Sequence, residues 1–325
     1  MVYIPSVLAH PLIFNSLVLL ASLAILVFSG AYFVDSLTSY ARKIGLSACF
    51  VGMIVSAIAT SSTDIATSVM SLVVGKPEIM SGVVIGGLVI ELGFLIGLFS
   101  ILSKKIKLDT EVIKGHEFVI LGLIILPYIL MLDGEITRSE GLVMFLSFVI
   151  YLLMIWQHEE ARGKLRKQIS LKNIWQDGLV FLFALTAMLL AARYVVFSTI
   201  NLSVFTGLPV YILSFTVLAF ANALPDTISG TISILKGKGG EIGFGDSIGS
   251  PMIEVNLFTG IVAMVQPMHF GIASILVGAL TLMICATYFM IIIRKGVITR
   301  SQGYVFIGLY VAYILIELGR YLFWR

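Results

Sequence analysis

Four acidic residues stand inside apolar stretches of this chain, and they form two matched pairs. Asp64 and Glu91 belong to the first stretch, and Asp226 and Glu254 belong to the second. A shift of 162 positions superposes Asp64 on Asp226, and one extra residue in the second copy superposes Glu91 on Glu254. An uncompensated carboxylate is costly in apolar surroundings, so it must bind a cation, a proton or a polar neighbour. The duplicated acids therefore predict a cation site built from two copies of one pattern.

Oxygen-bearing side chains accompany the acids in both stretches, namely Thr60, Ser61, Asn222 and Ser250. Carboxylates, hydroxyls and backbone carbonyls are hard ligands that suit Ca²⁺, and Mn²⁺ and Mg²⁺ share them. Pro225 precedes Asp226 and removes a helical donor, which frees a carbonyl upstream. Lys, Arg and His are absent from the middle of the predicted spans that carry the acids. The alternative is that each acid is a structural residue, protonated or hydrogen-bonded to a neighbouring helix.

The composition is that of a polytopic membrane protein. Hydrophobic residues make up 59% of the chain, charged residues only 12%, and the mean hydropathy is +1.06. A membrane-spanning helix needs about 20 apolar residues. Apolar windows predict ten spans, which cover residues 11–34, 46–74, 79–102, 115–132, 140–157, 175–197, 209–236, 241–266, 269–293 and 301–322. Cys49 and Cys285 fall in different spans, so they are predicted to be packing residues. Glu317 and Arg320, at helical spacing in the last span, are predicted to form a local pair near the membrane surface.

The loops predict the orientation and the domain organisation. Sixteen basic residues fall on one side of the predicted spans and four on the other, and cytoplasmic loops hold the excess. Both termini are therefore predicted to lie outside the cytoplasm of a cell membrane. A basic connector over residues 158–173 separates a first repeat (1–157) from a second repeat (174–325). Five spans in each half make the two repeats inverted, which is typical of secondary transporters.

The repeated stretches resemble the cation/calcium exchanger superfamily, most closely its prokaryotic sodium/calcium exchanger branch. The first motif of that family is similar to A-T-S-S-T-D (59–64) and A-N-A-L-P-D (221–226), and the second motif is similar to G-V-V-I-G-G-L (82–88) and G-D-S-I-G-S-P (245–251). The resemblance implies an all-α membrane fold of ten helices in two inverted five-helix repeats. Spans two, three, seven and eight would form the ion-binding core with broken helices, and spans one and six would slide across it.

The resemblance also implies roles for individual residues. Asp64 and Asp226 stand at the positions of the two principal Ca²⁺-binding acids, and Glu91 and Glu254 occupy the flanking central positions. Thr60, Ser61 and Ser250 match hydroxyl-bearing positions, and Ala57 and Ala219 match positions that offer backbone carbonyls. Gly87 and Ala223 lack the hydroxyls that line sodium sites in the family.

The function predicted from these observations is exchange of Ca²⁺ for Na⁺ by alternating access. Proton-coupled exchange of Ca²⁺, Mn²⁺ or Mg²⁺ stays open, because close carboxylates readily hold a proton. A cation channel is a rival, since channels also use acidic rings. An intramembrane aspartyl protease is another, although no further catalytic signature accompanies the acids, so the chain is not predicted to be an enzyme. No cofactor, nucleic acid or obligate protein partner is predicted; membrane lipid and inorganic cations are the expected partners.

Overall fold

A computed structural model describes residues 10–43, 58, 61–103, 105–107, 117–161, 174–235, 249–250, 252–269, 272–293 and 295–323. Within these ranges the chain is helical except for four short strands. The helices are α1 (Pro11–Lys43), α2 (Ser62–Val73), α3 (Pro77–Ser103), α4 (Glu117–Leu130), α5 (Arg138–Ala161), α6 (Ile174–Thr206), α7 (Val210–Asn222), α8 (Leu224–Leu235), α9 (Met252–Val265), α10 (Ile272–Ile293) and α11 (Arg300–Phe323). The prediction of an all-α membrane protein is confirmed.

Several helices are suited to a bilayer by length and by surface. Five of the described helices are long and apolar enough to cross a membrane, and three apolar helices of 10–17 residues accompany them. Large apolar side chains are also exposed along α5, where Leu142, Leu146, Ile150 and Leu153 lie on one side of the helix. A water-soluble protein rarely exposes so continuous an apolar stripe. The stripe therefore marks a lipid-facing surface.

Helices α1 and α6 form an antiparallel pair with its own hydrophobic cluster, to which α2 and α7 also contribute. The Asn201 amide donates to Asn15 Oδ1 (2.9 Å) at one end of the pair, and the Ser39 hydroxyl donates to Asp177 Oδ2 (3.3 Å) at the other. Asp177 follows Asn15 by 162 positions, and Asn201 follows Ser39 by the same number. The two hydrogen bonds therefore join equivalent positions in reversed order.

Both members of this pair are longer than the sequence predicts. Helix α1 ends at Lys43 rather than at residue 34, and α6 ends at Thr206 rather than at residue 197. Two polar residues of α1 beyond residue 34 form hydrogen bonds inside the helix pair. The Ser36 hydroxyl donates to the Phe33 carbonyl, and Ser39 reaches Asp177. Helix α5 likewise continues to Ala161, four residues into the predicted connector, whose remaining residues 162–173 lie outside the described ranges.

The larger hydrophobic cluster holds α3 in the centre of the other helices. Two pairs of helices in this part of the molecule cross at close distance. Helix α3 meets α11 at Gly97 and Gly303, and α5 meets α9 at Gly141 and Gly260. At each of these glycines an added Cβ would lie 2.8 to 3.0 Å from a neighbouring atom. Small residues let backbones approach this closely, which is how helices gain contact energy in lipid.

Two short antiparallel ladders close the ends of the helices. Strand β1 (Lys105–Lys107) pairs with β4 (Val297–Thr299), and β2 (Glu135–Ile136) pairs with β3 (Met268–His269). Each of β2 and β4 leads into a helix through nearly the same sequence, I-T-R-S-E-G (136–141) and I-T-R-S-Q-G (298–303). The side chains of Glu140 and Gln302 each accept the backbone N–H three residues earlier at 2.8 Å, so the two helices begin with the same cap.

The α3–α11 crossing yields a test of the fold. Gly303→Ala would place a methyl group 2.8 Å from the Gly97 carbonyl oxygen, whereas Gly308→Ala on the same helix would meet nothing within 4 Å. We expect Gly303→Ala to lower the free energy of unfolding by about 1–3 kcal/mol through overpacking. Gly308→Ala should match or slightly exceed the wild type, because alanine favours helix. Thermal unfolding midpoints in detergent measure both, and equal midpoints for the two variants would contradict this packing.

Candidate cation site

Asp64 and Asp226 each lie in the first turn of a helix. Helix α2 begins at Ser62 and carries Asp64 in its first turn. Helix α7 ends at Asn222, a single turn residue follows, and α8 begins at Leu224 with Asp226 in its first turn. The N-terminus of a helix carries a partial positive charge that favours carboxylates. The interruption predicted near residue 225 is therefore confirmed, and it gives Asp226 an electrostatic reason to be there.

The Asp64 carboxylate lies between α7 and α3. Its Oδ1 accepts a hydrogen bond of 2.6 Å from the Asn222 amide, and its side chain is only 6% exposed. On the other side it faces α3 at Gly87, where an added Cβ would lie 3.8 Å from Asp64 Oδ2. The absence of a side chain at Gly87 leaves room beside the carboxylate. One buried acid thus contacts elements from both sequence repeats.

Two further acids follow, by four residues each, the residues Gly87 and Asn222 that adjoin Asp64. Glu91 follows Gly87 by one helical turn and therefore lies on the same side of α3. Asp226 follows Asn222 by four residues, across the break, and its side chain is half-buried. Glu91 is buried in a π-helical segment, Ile90–Leu95, so α3 is continuous where an interruption was predicted. Single-turn π-segments are frequent at functional sites because they turn side chains out of the regular register.

Glu254 reaches the same region from the second repeat. It is 1% exposed and lies in a π-helical segment of α9, Met252–Thr259. Tyr128 on α4 is buried in the same hydrophobic cluster as Ile253 and Val255, which flank Glu254. Asp64 thus contacts α7 and α3 directly, and Glu91 and Glu254 are buried in further segments of α3 and α9.

Neutral oxygen atoms surround the acids. The hydroxyls of Ser61 and Ser250 and the side-chain amide oxygen Oδ1 of Asn222 are buried and make no hydrogen bond within the described part of the chain. Ser68, one turn beyond Asp64, has the same property and was not predicted. Buried polar atoms without a hydrogen bond are rare and need an explanation. Such oxygens are suitable ligands for Ca²⁺ or Na⁺.

Other predicted ligands have different outcomes. The Ala219 carbonyl accepts the Ala223 backbone N–H at 3.1 Å, which still leaves one lone pair for a cation. Ala57 and Thr60 lie outside the described residues. Among the residues that are described, no three acidic, histidine or cysteine side chains are close enough to hold one metal ion together. A cation bound in this conformation would therefore combine at most two acids with neutral oxygens.

Two predictions away from the acids are confirmed. Arg320 Nη1 lies 3.3 Å from Glu317 Oε1 in α11, which is the local ion pair expected from their helical spacing. Cys285 is fully buried and is not in a disulfide, as expected for a packing residue. None of these three residues belongs to the candidate site.

The chain is similar to proteins of known family. The family described as sodium/calcium exchanger protein matches residues 14–157 and 178–319. A sodium/calcium exchanger of Methanosarcina acetivorans, MaX1, is 24% identical over 93% of this chain and 98% of its own length. A putative antiporter of Alkalimonas amylolytica, CaxA, is 24% identical over 76% of this chain and 80% of its own length.

Solved structures show the same fold. The sodium-calcium exchanger NCX_Mj, soaked with 2.5 mM Na⁺ and 10 mM Sr²⁺, has a TM-score of 0.67 and 22% identity, covering 94% of this chain and 99% of that one. The resemblance predicted from the repeated motifs is thereby confirmed over most of the sequence. This multi-pass membrane chain belongs to the sodium/calcium exchanger protein family.

Proposed function

We propose that this chain is a secondary antiporter that exchanges Ca²⁺ for Na⁺ across the membrane by alternating access. The observation that carries the proposal is the matched set of four acids, three buried and one half-buried, in a chain that belongs to the sodium/calcium exchanger family. The cations are substrates, which bind among the acids and leave again. MaX1 and NCX_Mj, to which the chain is similar, are sodium/calcium exchangers.

The proposed architecture is ten membrane spans in two inverted repeats, over residues 1–157 and 174–325, joined by the basic connector 158–173. Three features support it. Equivalent hydrogen bonds close both ends of the α1–α6 pair, equivalent glycine crossings join α3 to α11 and α9 to α5, and the same cap begins α5 and α11. The excess of basic residues in the loops supports termini outside the cytoplasm.

In the proposed site the transported cations bind among Asp64, Asp226, Glu91 and Glu254, of which at most two reach one cation in the conformation described. Neutral ligands come from Ser61, Asn222, Ser250 and the Ala219 carbonyl, and the family resemblance adds Thr60 and Ala57. The Asn222 amide already holds Asp64 in place, which reduces the ordering that ligand binding requires. No cofactor, enzymatic step or protein partner is part of the proposal.

Charge compensation explains why the transport is exchange. A site filled by one divalent or several monovalent cations is close to neutral and can pass through an apolar environment. An empty site with bare carboxylates resists that passage, because each uncompensated charge is costly in the membrane interior. The α1–α6 pair, with its own hydrophobic cluster, is suited to slide as a unit over the core. A pH gradient that drives Ca²⁺ uptake without luminal Na⁺ would instead favour proton coupling.

The acids at the helix breaks give the first test. Asp64→Asn and Asp226→Asn keep the size of the side chain and remove its charge, so each should lower Na⁺-dependent Ca²⁺ uptake into proteoliposomes by about a hundredfold or more, as expected for loss of a charged ligand. Asp35→Asn is the matched control, because Asp35 is exposed on α1. Near-normal uptake by both site variants would overturn the assignment of the acids.

The Asn222 amide gives a second test with a graded effect. Asn222→Ala removes the hydrogen bond to Asp64 and one oxygen ligand, but it leaves every acid in place. We expect the half-saturating Ca²⁺ concentration to rise about tenfold, the factor that corresponds to one net hydrogen bond. Asn201→Ala removes a comparable amide bond between α6 and α1, remote from the acids, and should leave that concentration near the wild-type value. Equal shifts in the two variants would contradict a specific role for Asn222.

A further inference from the structure

A buried asparagine follows Glu254 by two residues in the π-helical segment Met252–Thr259 of α9. The side chain of this residue, Asn256, is fully buried. Its amide nitrogen donates to the Leu123 carbonyl of α4 at 3.3 Å, and its Oδ1 accepts a hydrogen bond from the Ser147 hydroxyl of α5. Both polar atoms of Asn256 therefore have partners, and these bonds join α9 to two other helices.

The Leu123 carbonyl needs a donor from outside its own helix. Pro127 lies inside α4 and has no N–H, so the carbonyl four residues earlier loses its helical hydrogen bond. An unpaired backbone carbonyl is costly in the membrane interior, where no water replaces the lost donor. The Asn256 amide supplies that donor. A proline in one helix thus creates the acceptor that fixes an asparagine in another.

Asn256 and Glu254 lie on different sides of α9. Two residues advance an α-helix by about 200°, so their side chains leave the helix in nearly opposite directions. Helices α2, α4 and α5 all pack against the π-helical segment, and α2 carries Asp64. Because Asn256 bonds to α4 and α5, its hydrogen bonds hold the segment on the side opposite to the glutamate.

The first repeat holds its equivalent segment by a different contact. Gly93 matches Asn256 in the alignment that superposes Glu91 on Glu254. An added Cβ at Gly93 would lie 3.3 Å from the Cβ of Tyr310, so α3 packs closely against α11 at this point. The glycine has no side chain that could form hydrogen bonds. The two glutamates are equivalent in sequence, but only the segment of Glu254 is fixed by a side-chain amide.

We propose that Asn256 is a positioning residue for Glu254, because its hydrogen bonds fix the rotation of the π-helical segment about the axis of α9. The inference rests on the proposed function, in which Glu254 binds the transported cation. The extra residue of a π-helical turn is stabilised by its surroundings, so the direction of the side chains in it depends on tertiary contacts. A carboxylate that is already held in place loses less conformational freedom when the cation binds.

The test is Asn256→Leu, which roughly keeps the volume of the side chain and removes both polar atoms. We expect the half-saturating Ca²⁺ concentration for exchange to rise about tenfold, the factor that corresponds to one net hydrogen bond. The maximal rate should stay within about twofold of the wild type, because every acid is still present. Ser147→Ala removes only the bond to Oδ1 and should raise the half-saturating concentration by about threefold.

Pro127→Ala separates positioning from stability. Asn256→Leu leaves the Leu123 carbonyl without its donor and should lower the thermal unfolding midpoint in detergent. Pro127→Ala gives α4 a backbone N–H for that carbonyl. In the double variant the midpoint should return to that of Pro127→Ala alone, whereas the half-saturating Ca²⁺ concentration should stay raised. Recovery of both quantities would show that Asn256 only satisfies the carbonyl, and it would overturn the proposal.

Asn15→Leu is the matched control. Asn15 is a buried asparagine at one end of the α1–α6 pair, where it donates to the Pro11 carbonyl at 2.7 Å and accepts from Asn201 at 2.9 Å. This variant should lower the unfolding midpoint and leave the half-saturating Ca²⁺ concentration unchanged. Wild-type protein without Na⁺-dependent Ca²⁺ exchange would contradict the proposed function itself. Wild-type exchange, together with unchanged half-saturation in Asn256→Leu or an equal shift in Asn15→Leu, would overturn only the role of Asn256.

Discussion

Carboxylates in the apolar interior of this protein must be compensated, and the centre of the structure is arranged around that requirement. Asp64, Glu91 and Glu254 are buried, and Asp226 is half-buried. Partial compensation is permanent, because helix N-termini and the Asn222 amide favour negative charge without neutralising it. The remaining charge is left for mobile cations. A site that is completed only by its substrate is well suited to exchange.

The surrounding helices divide into a braced part and a separate pair. Glycine crossings at Gly97 and Gly303, and at Gly141 and Gly260, bring backbones close enough to fix α3 and α9, which carry the two glutamates. Helices α1 and α6 are joined mainly to each other, with hydrogen bonds at both ends. Interfaces of packed helices allow small sliding motions when one side moves as a unit. The separation of the two parts therefore fits alternating access around a fixed site.

The sequence was sufficient to predict the acids, the break before Asp226 and the Glu317–Arg320 pair, because each has a local signature of charge, proline or helical spacing. It was not sufficient for Asn256, whose side-chain amide donates to the Leu123 carbonyl of α4. That bond depends on which helix lies opposite, and an asparagine in an apolar span has no spacing rule that reveals its neighbour. The π-helical segments were missed for a related reason, since their extra residue is stabilised by tertiary contacts rather than by propensity.

Compensation of the acids by mobile cations makes exchange obligatory, and uptake of radioactive Ca²⁺ into proteoliposomes tests this most directly. One set of vesicles is loaded with Na⁺ and a matched set with choline, a cation too large for the site, at the same membrane potential. We expect Ca²⁺ to accumulate only in the Na⁺-loaded vesicles. Equal uptake into both sets would contradict obligatory exchange, because Ca²⁺ would then cross without a counter-ion, as it does through a channel.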